Sequence, residues 1–439
     1  MSTVHVPSKD IPVLYHADIV VCGAGPAGIG AAVFAARSGK KVVIIEAAGC
    51  LGGMGTAGLV PAIIHMTDGV NMLAKGVCVE TVDELARRMN IKPNYGWHDV
   101  QPELLKRVYD DMVAAAGIKV YLGMPIADVI KDGERVTGVV VSTKHGLKAV
   151  TGSVFIDATG DANVAAFAGV PFEVGDEKGR TMSPSLCVQY AGVDWEKFRA
   201  NSNGVWSVGT IWKKLVDEGK APMKEYHFVG FFKNGNSIGS GNLGHIYGIN
   251  CLNEDDITFG YTEGRKIAEK IHGFYRDNIP GFEKSEIVNT ASVLSVRETR
   301  RIAGEYKLCF NDYTSRASFE DEVGRFAYPI DIHSSSTDSD EQKEVEKRLH
   351  SSALAKGESY GIPYRALIAK NTSNLLVAGR SISCDREIQS SIRVMPGCFV
   401  TGQAAGAAAS IATEKNGAVR SVPAARLQET LRSLGAYLK

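Results

Sequence analysis

The stretch Asp18–Glu46, DIVVCGAGPAGIGAAVFAARSGKKVVIIE, constrains this chain more than any other. The apolar run IVVC reads as a buried strand, the Ala-rich stretch to Arg37 as a helix stopped by Ser38-Gly39, and KVVIIE as a second strand. Strand, helix and strand fit in about thirty residues, with Gly23, Gly25 and Gly28 at the first turn. Each glycine has a physical task there: Gly23 makes the tight turn, Gly25 admits a pyrophosphate to the backbone, and Gly28 lets helix and strand approach. The helix would then aim free N–H groups and its positive dipole end at the phosphates. Glu46, closing the second strand, is placed to accept hydrogen bonds from a ribose diol. This is a dinucleotide-binding unit.

Context decides such a motif. Gly239, Gly241 and Gly244 in IGSGNLGHIYG have the same spacing but no preceding apolar strand and no clear helix after them, so they read as a loop. After Glu46 the chain continues with AAGCLGGMGTAGLV rather than another βα unit, and the pair Gly52-Gly53 suggests a loop wrapping a longer cofactor. Further apolar strands end in Ala158-Thr159-Gly160 and in Gly379-Arg380. Three strand ends carrying glycine indicate one extended ligand at one sheet edge, which favours FAD over NAD.

Composition removes several alternatives. The 49 Lys+Arg balance 49 Asp+Glu, which disfavours nucleic acid or an anionic membrane as the main partner. With 44% apolar and 22% charged residues the chain is globular, and its 439 residues allow two or three domains. Eight scattered cysteines without a CxxC pair, and no histidine cluster, give no expected metal site. Without a signal-peptide core or a membrane-length apolar stretch, a reduced cytoplasmic protein is expected.

The blocks GAGPAG with Glu46, GGMGT, IDATGDANVAAFAGVPFE, SVRETRRIAGEY, YPIDIH, YGIPYR, NLLVAGRSIS and SIRVMPGCFVTGQAAGAAA resemble the signature blocks of the bacterial FAD-dependent oxidoreductase family related to the glutathione-reductase-type flavoproteins. They run in family order over nearly the whole chain and do not specify a substrate. The resemblance implies an α/β fold, a glutathione-reductase-type Rossmann FAD-binding domain with an inserted α+β substrate domain. Segments 1–60, 101–172 and 360–439 would form the FAD domain, and 61–100 and 173–359 the substrate or cap domain, where aromatic and polar residues replace clear βα alternation. FAD would be held non-covalently by Gly23, Gly25, Pro26, Ala27, Gly28 and Glu46 at its ADP half, and by Gly52, Gly53, Met54 and Thr56 along the pyrophosphate and flavin. Ile126 would meet the adenine. Ala158, Thr159, Gly160, Gly379, Arg380, Gly402 and Gln403 complete the expected cofactor set, with Arg393 near the pyrimidine edge. The small-residue helix beginning near Met395 would favour the anionic reduced flavin through its N-terminus.

Disulfide reduction is disfavoured, since Cys50 stands alone beside the second glycine pair, and no second well-framed GxGxxG provides for NAD(P)H. The electron donor or acceptor is therefore open. What remains is hydride transfer between flavin N5 and a small polar molecule, at a C–H beside a hydroxyl or amine. That chemistry needs an acid–base group and orienting cations. His65, His333, Tyr364 and Arg365 are the leading candidates, with Arg297, Arg300 and Tyr328 in supporting blocks. Two alternatives stand beside this one: reduction of an activated C=C bond, and a flavin-bearing binding or tRNA-modification module, which the neutral charge disfavours. The acidic, Ser-rich segment 334–349 reads as a solvated loop or exposed helix. Large flavoenzymes often self-associate, so a homo-oligomer is compatible with the sequence without being indicated by it.

Overall fold

The computed structural model describes residues 3–5, 10–228 and 230–439. At its centre the Val13–Cys22 strand runs parallel to Val42–Ile45 on one side and to the long Gly146–Asp157 strand on the other. Lys119–Tyr121 extends the sheet beyond Val42–Ile45, and Leu375–Val377 pairs parallel with the last residues of the long strand. The central strands are continuous apolar runs because both of their faces are covered. The first half of the long strand instead pairs antiparallel with Arg135–Thr143, which forms a hairpin with Ile126–Asp132. Cys22, Ile45, Asp157 and Val377 thus end at one edge, where a doubly wound sheet binds its ligand.

Two helices hold that edge together. Pro26–Arg37 is buried along its length from Pro26 to Ala35, and Met395–Thr413 from Met395 to Ala412. Neither has an apolar stripe with a polar back, since each is enclosed on all sides. They approach backbone to backbone. A Cβ on Gly402 would lie 2.1 Å from the Ala27 carbonyl oxygen, and one on Gly406 would lie 2.1 Å from that of Ala31. The structure therefore places Gly402 in helix–helix packing. The Gln403 side chain is likewise engaged with the chain: its Oε1 accepts from the Val77 N–H at 2.6 Å and its Nε2 donates to the Lys75 carbonyl at 3.1 Å, capping the Val77–Met89 helix.

Val77, Val82 and Leu85 belong to the core beneath the parallel sheet, as do Leu308, Tyr313 and Phe326, so much of 61–100 and of 300–359 packs with the dinucleotide-binding body. The second core is narrower and draws on Leu59 and on residues from Leu186 to Leu294. It is built on a four-stranded antiparallel sheet, in order Phe231–Lys233, Gly239–Gly241, Val188–Ala191 and Glu286–Thr290, with the Glu254–Asn278 helix beside it. Aromatic rings fill it, with Phe231 and Phe282 centroids 4.5 Å apart. Gly239 and Gly241 are accordingly an inner strand and not a loop. Their lack of side chains makes room for the rings of Trp195 and Tyr190, 3.4 and 3.2 Å from where a Cβ would stand.

The close helix approach yields a direct test. Gly406→Val should drive a branched side chain into the Ala31 carbonyl and destabilise the protein by about 1–3 kcal/mol, lowering the melting temperature by several degrees. An unchanged melting temperature would contradict the packing.

Candidate active site

The glycine loop separates into two kinds of position. Gly23 has φ +95°, donates its N–H to the Ile45 carbonyl at 2.7 Å, and leaves no space for a Cβ, which would lie 2.4 Å from the Ala158 oxygen. A Cβ on Gly28 would meet the Gly23 oxygen at 1.9 Å. These two glycines are demanded by the fold itself. Around Gly25 nothing stands within 4 Å of an added Cβ, so the space beside it is open and the fold itself does not require a glycine there. Gly25 is also the N-cap of the Pro26–Arg37 helix and offers no side-chain cap, leaving the first N–H groups for an anion.

The second glycine pair closes on the first. The Gly52 N–H donates to the Ala24 carbonyl at 2.8 Å, Gly53 has φ +52°, and a Cβ there would lie 2.9 Å from the Gly25 Cα. Thr56 fixes this turn by donating its hydroxyl to the Leu51 carbonyl at 2.6 Å. The Glu46 carboxylate accepts from the Ala24 N–H at 2.6 Å and the Ala48 N–H at 2.7 Å, which orients it and leaves lone pairs for a diol. The Met124 N–H bonds the Glu46 carbonyl at 2.9 Å, bringing the chain beside Glu46 two residues before Ile126. An open cradle at Gly25, uncapped amides and an anchored carboxylate fit the ADP part of FAD.

The other strand ends are tied to one another. Asp157 is fully buried and accepts from the Thr159 N–H and hydroxyl at 3.0 and 2.7 Å and from the Ala165 N–H at 2.9 Å. Arg380 donates to the Gly160 carbonyl at 2.5 Å and the Val296 carbonyl at 2.7 Å, and pairs with Asp161 at 2.5 Å. Gly379, at φ +85°, packs its bare Cα against Ala27.

Beyond this edge lies a cavity of about 410 Å³. Met54, Arg380, Arg393 and Met395 come to it from the glycine-loop side, and His227, Phe228, Asn242 and Arg297 from the second body and its border. Trp97, Ile64 and Val296 add apolar wall. His333 and Asp331 also line it, so the YPIDIH block does reach the cavity. His65 is exposed and rests against the Tyr328 ring, 5.4 Å between centroids, outside the lining residues. Tyr364 and Arg365 stand elsewhere. Tyr364 is buried and donates to the Val419 carbonyl at 2.9 Å, while Arg365 is half-exposed and pairs with Asp321 at 3.0 Å. Arg300 likewise serves the chain, donating to the Asp161 carbonyl and the Asn163 side chain.

Behind His333 runs a chain of titratable groups that sequence reading did not identify. Glu225 lies 2.5 Å from His245 Nδ1 and also accepts from the His245 N–H at 3.0 Å. His245 Nε2 is 2.6 Å from His333 Nδ1, and His333 Nε2 is 3.4 Å from Asp331. Asp331 in turn pairs with Arg393 at 3.0 Å. Glu225 and His245 are almost wholly buried. Although burial opposes ionisation, His245 holds Glu225 below the ordinary carboxylate range, and His333 and Arg393 do the same for Asp331. Burial, then Arg297, pushes His333 well below the usual imidazole value, so it is neutral near pH 7.

Counting protons shows what such a chain does. Two carboxylates flanking two imidazoles require three ring protons to fill every link. A neutral His333 that donates Nδ1–H to His245 Nε2 leaves its own Nε2, at the longest link of the chain beside the Asp331 carboxylate, free to accept a proton. His227 stands next to it, 4.7 Å between ring centroids, with Nε2 buried and unpartnered and a pKa lowered to about 4 by burial and then by His245. The Ser339–Ser351 helix also reaches the cavity, contrary to a purely solvated reading of that segment, with Glu346 pairing Lys213 at 2.8 Å.

No helix among the described residues is long and apolar enough to cross a membrane. The chain is similar to the thiamine thiazole synthase of Pyrobaculum aerophilum, 34% identical over 206 residues that span 42% of this chain and 74% of that protein. It is also similar to the soluble pyridine nucleotide transhydrogenase of a Marinomonas species, 52% identical over 48 residues, 11% of this chain and 10% of that one. Among solved structures, a geranylgeranyl bacteriochlorophyll reductase-like protein from Thermoplasma acidophilum superposes with a TM-score of 0.46 at 13% identity, over 96% of this chain and 83% of that one. The family model for FAD dependent oxidoreductases matches residues 18–431, and with the α/β sheet and the open glycine cradle already described, the chain belongs to the FAD dependent oxidoreductase family.

Proposed function

We propose that this FAD-dependent oxidoreductase, with a cofactor fold of the glutathione-reductase type, oxidises a small polar molecule at a C–H beside a hydroxyl or amine. Bound FAD supplies the hydride acceptor, N5. The observation that carries this reading is the cavity itself, which joins Met54 and Arg393, near the glycine loop and the C-terminal helix, to His333 and His227. Gly25 and the uncapped helix N-terminus would hold the diphosphate, Glu46 the ribose and Ile126 the adenine. Met54, Arg380 and Arg393 would lie along the flavin.

His333 Nε2 takes the proton that the substrate's hydroxyl or ammonium group must lose. Asp331, 3.4 Å away, favours the protonated ring. His245 and Glu225 are positioning residues: they fix the tautomer of His333 and let the added charge spread away from the cavity. A neutral His333 accepts a proton rather than donating one, which favours oxidation over reduction of a C=C bond.

Anaerobic addition of small hydroxy compounds and amines to the purified protein should bleach the flavin's visible absorbance for at least one compound. A flavin that no such compound bleaches, but that after chemical reduction is reoxidised by an activated alkene, would reverse the assignment. Gly25→Val should leave the apoprotein folded, with an unaltered circular dichroism spectrum, and reduce FAD retention at least about tenfold, because only external space is filled. Full FAD retention would contradict the cradle.

The proton relay has its own signature. Because the folded-state pKa of His333 is depressed below its ordinary 6.5, kcat/KM for oxidation should rise with pH only through the acid range and be flat above pH 6.5. Glu225→Gln places an amide against two N–H donors, and should lower kcat about 10²-fold with little change in KM. In ¹⁵N spectra at pH 7, His333 should appear as the Nδ1–H tautomer. An Nε2–H tautomer or an imidazolium would contradict the chain as drawn.

A further inference from the structure

The four cations on the cavity wall are not equivalent. Lys213 pairs with Glu346 at 2.8 Å, Arg380 with Asp161 at 2.5 Å and Arg393 with Asp331 at 3.0 Å. Arg297 is the most buried, at 3% exposure, and among the described residues it has no carboxylate within 4.0 Å. Its Nη1 donates to the Ser183 carbonyl at 2.8 Å and to Ser185 Oγ at 3.0 Å, while Nη2 reaches Asn242 Oδ1 only at 3.5 Å. All three acceptors are neutral, so they orient the guanidinium without balancing its charge. Burial, then Arg393, lowers the Arg297 pKa to about 10 although Asp331 and Glu225 pull the other way without touching it, and it remains a cation at neutral pH with no carboxylate in contact.

A buried charge without a counter-charge is costly, and chains seldom keep one without a ligand to meet it. The next residue in sequence sharpens the contrast. Glu298, wholly buried, is met by Arg301 at 2.5 Å and by Arg386 at 3.0 Å, so a carboxylate is present next door and is spent on other cations. On the same cavity wall Arg393 Nε and His227 Nε2 are buried without partners, which leaves further donor capacity there. One cation with a planar fork and no carboxylate in contact, in a cavity whose wall carries the apolar side chains of Val60, Ile64, Phe228 and Val296 and already holds two carboxylates, Asp331 and Glu346, matches a monoanion better than a phosphate dianion.

We propose that Arg297 binds the carboxylate of the substrate, so that the molecule oxidised in this cavity is a small carboxylic acid carrying the hydroxyl or amine of its reacting carbon within reach of His333. This deepens the oxidoreductase reading and rests on it for the word substrate, but the anion subsite is testable without turnover.

Purified FAD-loaded protein is titrated with propanoate and benzoate, and in parallel with propanamide and benzamide, following the flavin visible spectrum and the melting temperature. At least one acid should perturb both saturably, and its amide should bind at least about 100-fold more weakly. Arg297→Met should weaken the acid about 100-fold, and Arg297→Lys by less, with FAD content and reduction by dithionite unchanged in both. The proposal is overturned if acid and amide act alike, if neither moves the spectrum or the melting temperature, or if Arg297→Met binds the acid as the parent does. It is also overturned if the Arg297 variants alter FAD affinity without altering the acid–amide contrast, since Arg297 would then serve the cofactor. Should Arg297→Met fail to fold, the acid–amide contrast in the parent and Arg297→Lys decide the matter. Acid binding through Arg297 in a protein that no compound bleaches would sink the redox reading and leave this one standing.

Discussion

Everything at this site depends on two helices touching without side chains between them. Gly402 and Gly406 lie against the Ala27 and Ala31 carbonyls, which locks the Met395–Thr413 helix onto the helix that follows the glycine loop. Because Arg393 and Met395 lead directly into the Met395–Thr413 helix, that lock also carries them to the cavity. Gly379 against Ala27 and the Gly52 N–H on the Ala24 carbonyl repeat the contact from two further segments. Close packing of this kind tolerates little adjustment, so the cofactor cradle and the cavity are positioned by a single tight junction.

Polar chemistry is then arranged on that frame with little waste. Arg380 spends its donors on Gly160, Val296 and Asp161, and so secures three chain segments at the rim. Arg301 and Arg386 share Glu298, and Thr159 shares Asp157 with the Ala165 amide. Against this background two features stand out physically: a histidine pair between two carboxylates whose cavity-side ring, His333, is neutral, and one guanidinium with no carboxylate in contact among the described residues. Both open on the same cavity. A proton vacancy and a charge vacancy in one place are what a site needs to receive an acidic molecule and remove a proton from it.

The dinucleotide-binding half was legible because its determinants are local. Strand, turn and helix follow within a few residues, and Gly23, Gly25 and Gly28 act on neighbours that sequence spacing already places. The errors share one cause, that a small or charged residue can serve several partners and only the fold chooses among them. Gly402 is bare where it meets the Ala27 backbone, and Gly239 where it meets the ring of Trp195. Arg365 meets Asp321, which lies far back in the chain, and so never faces the cavity. The relay was invisible for the same reason. Glu225 and His245 come from the second body, while Asp331 and His333 come from a segment packed on the first, and no periodicity connects them. His333 alone was found, through the block that resembles the family.

The central claim is that bare backbone at Gly25 and the distant cavity receive the two ends of one FAD molecule. A crystal structure of the FAD-bound protein tests this most directly. The account predicts the diphosphate in the open space at Gly25 and the isoalloxazine in the cavity beside Met54, on the side facing His333. Density for the tricyclic ring outside that cavity, or a diphosphate bound away from Gly25, would contradict it.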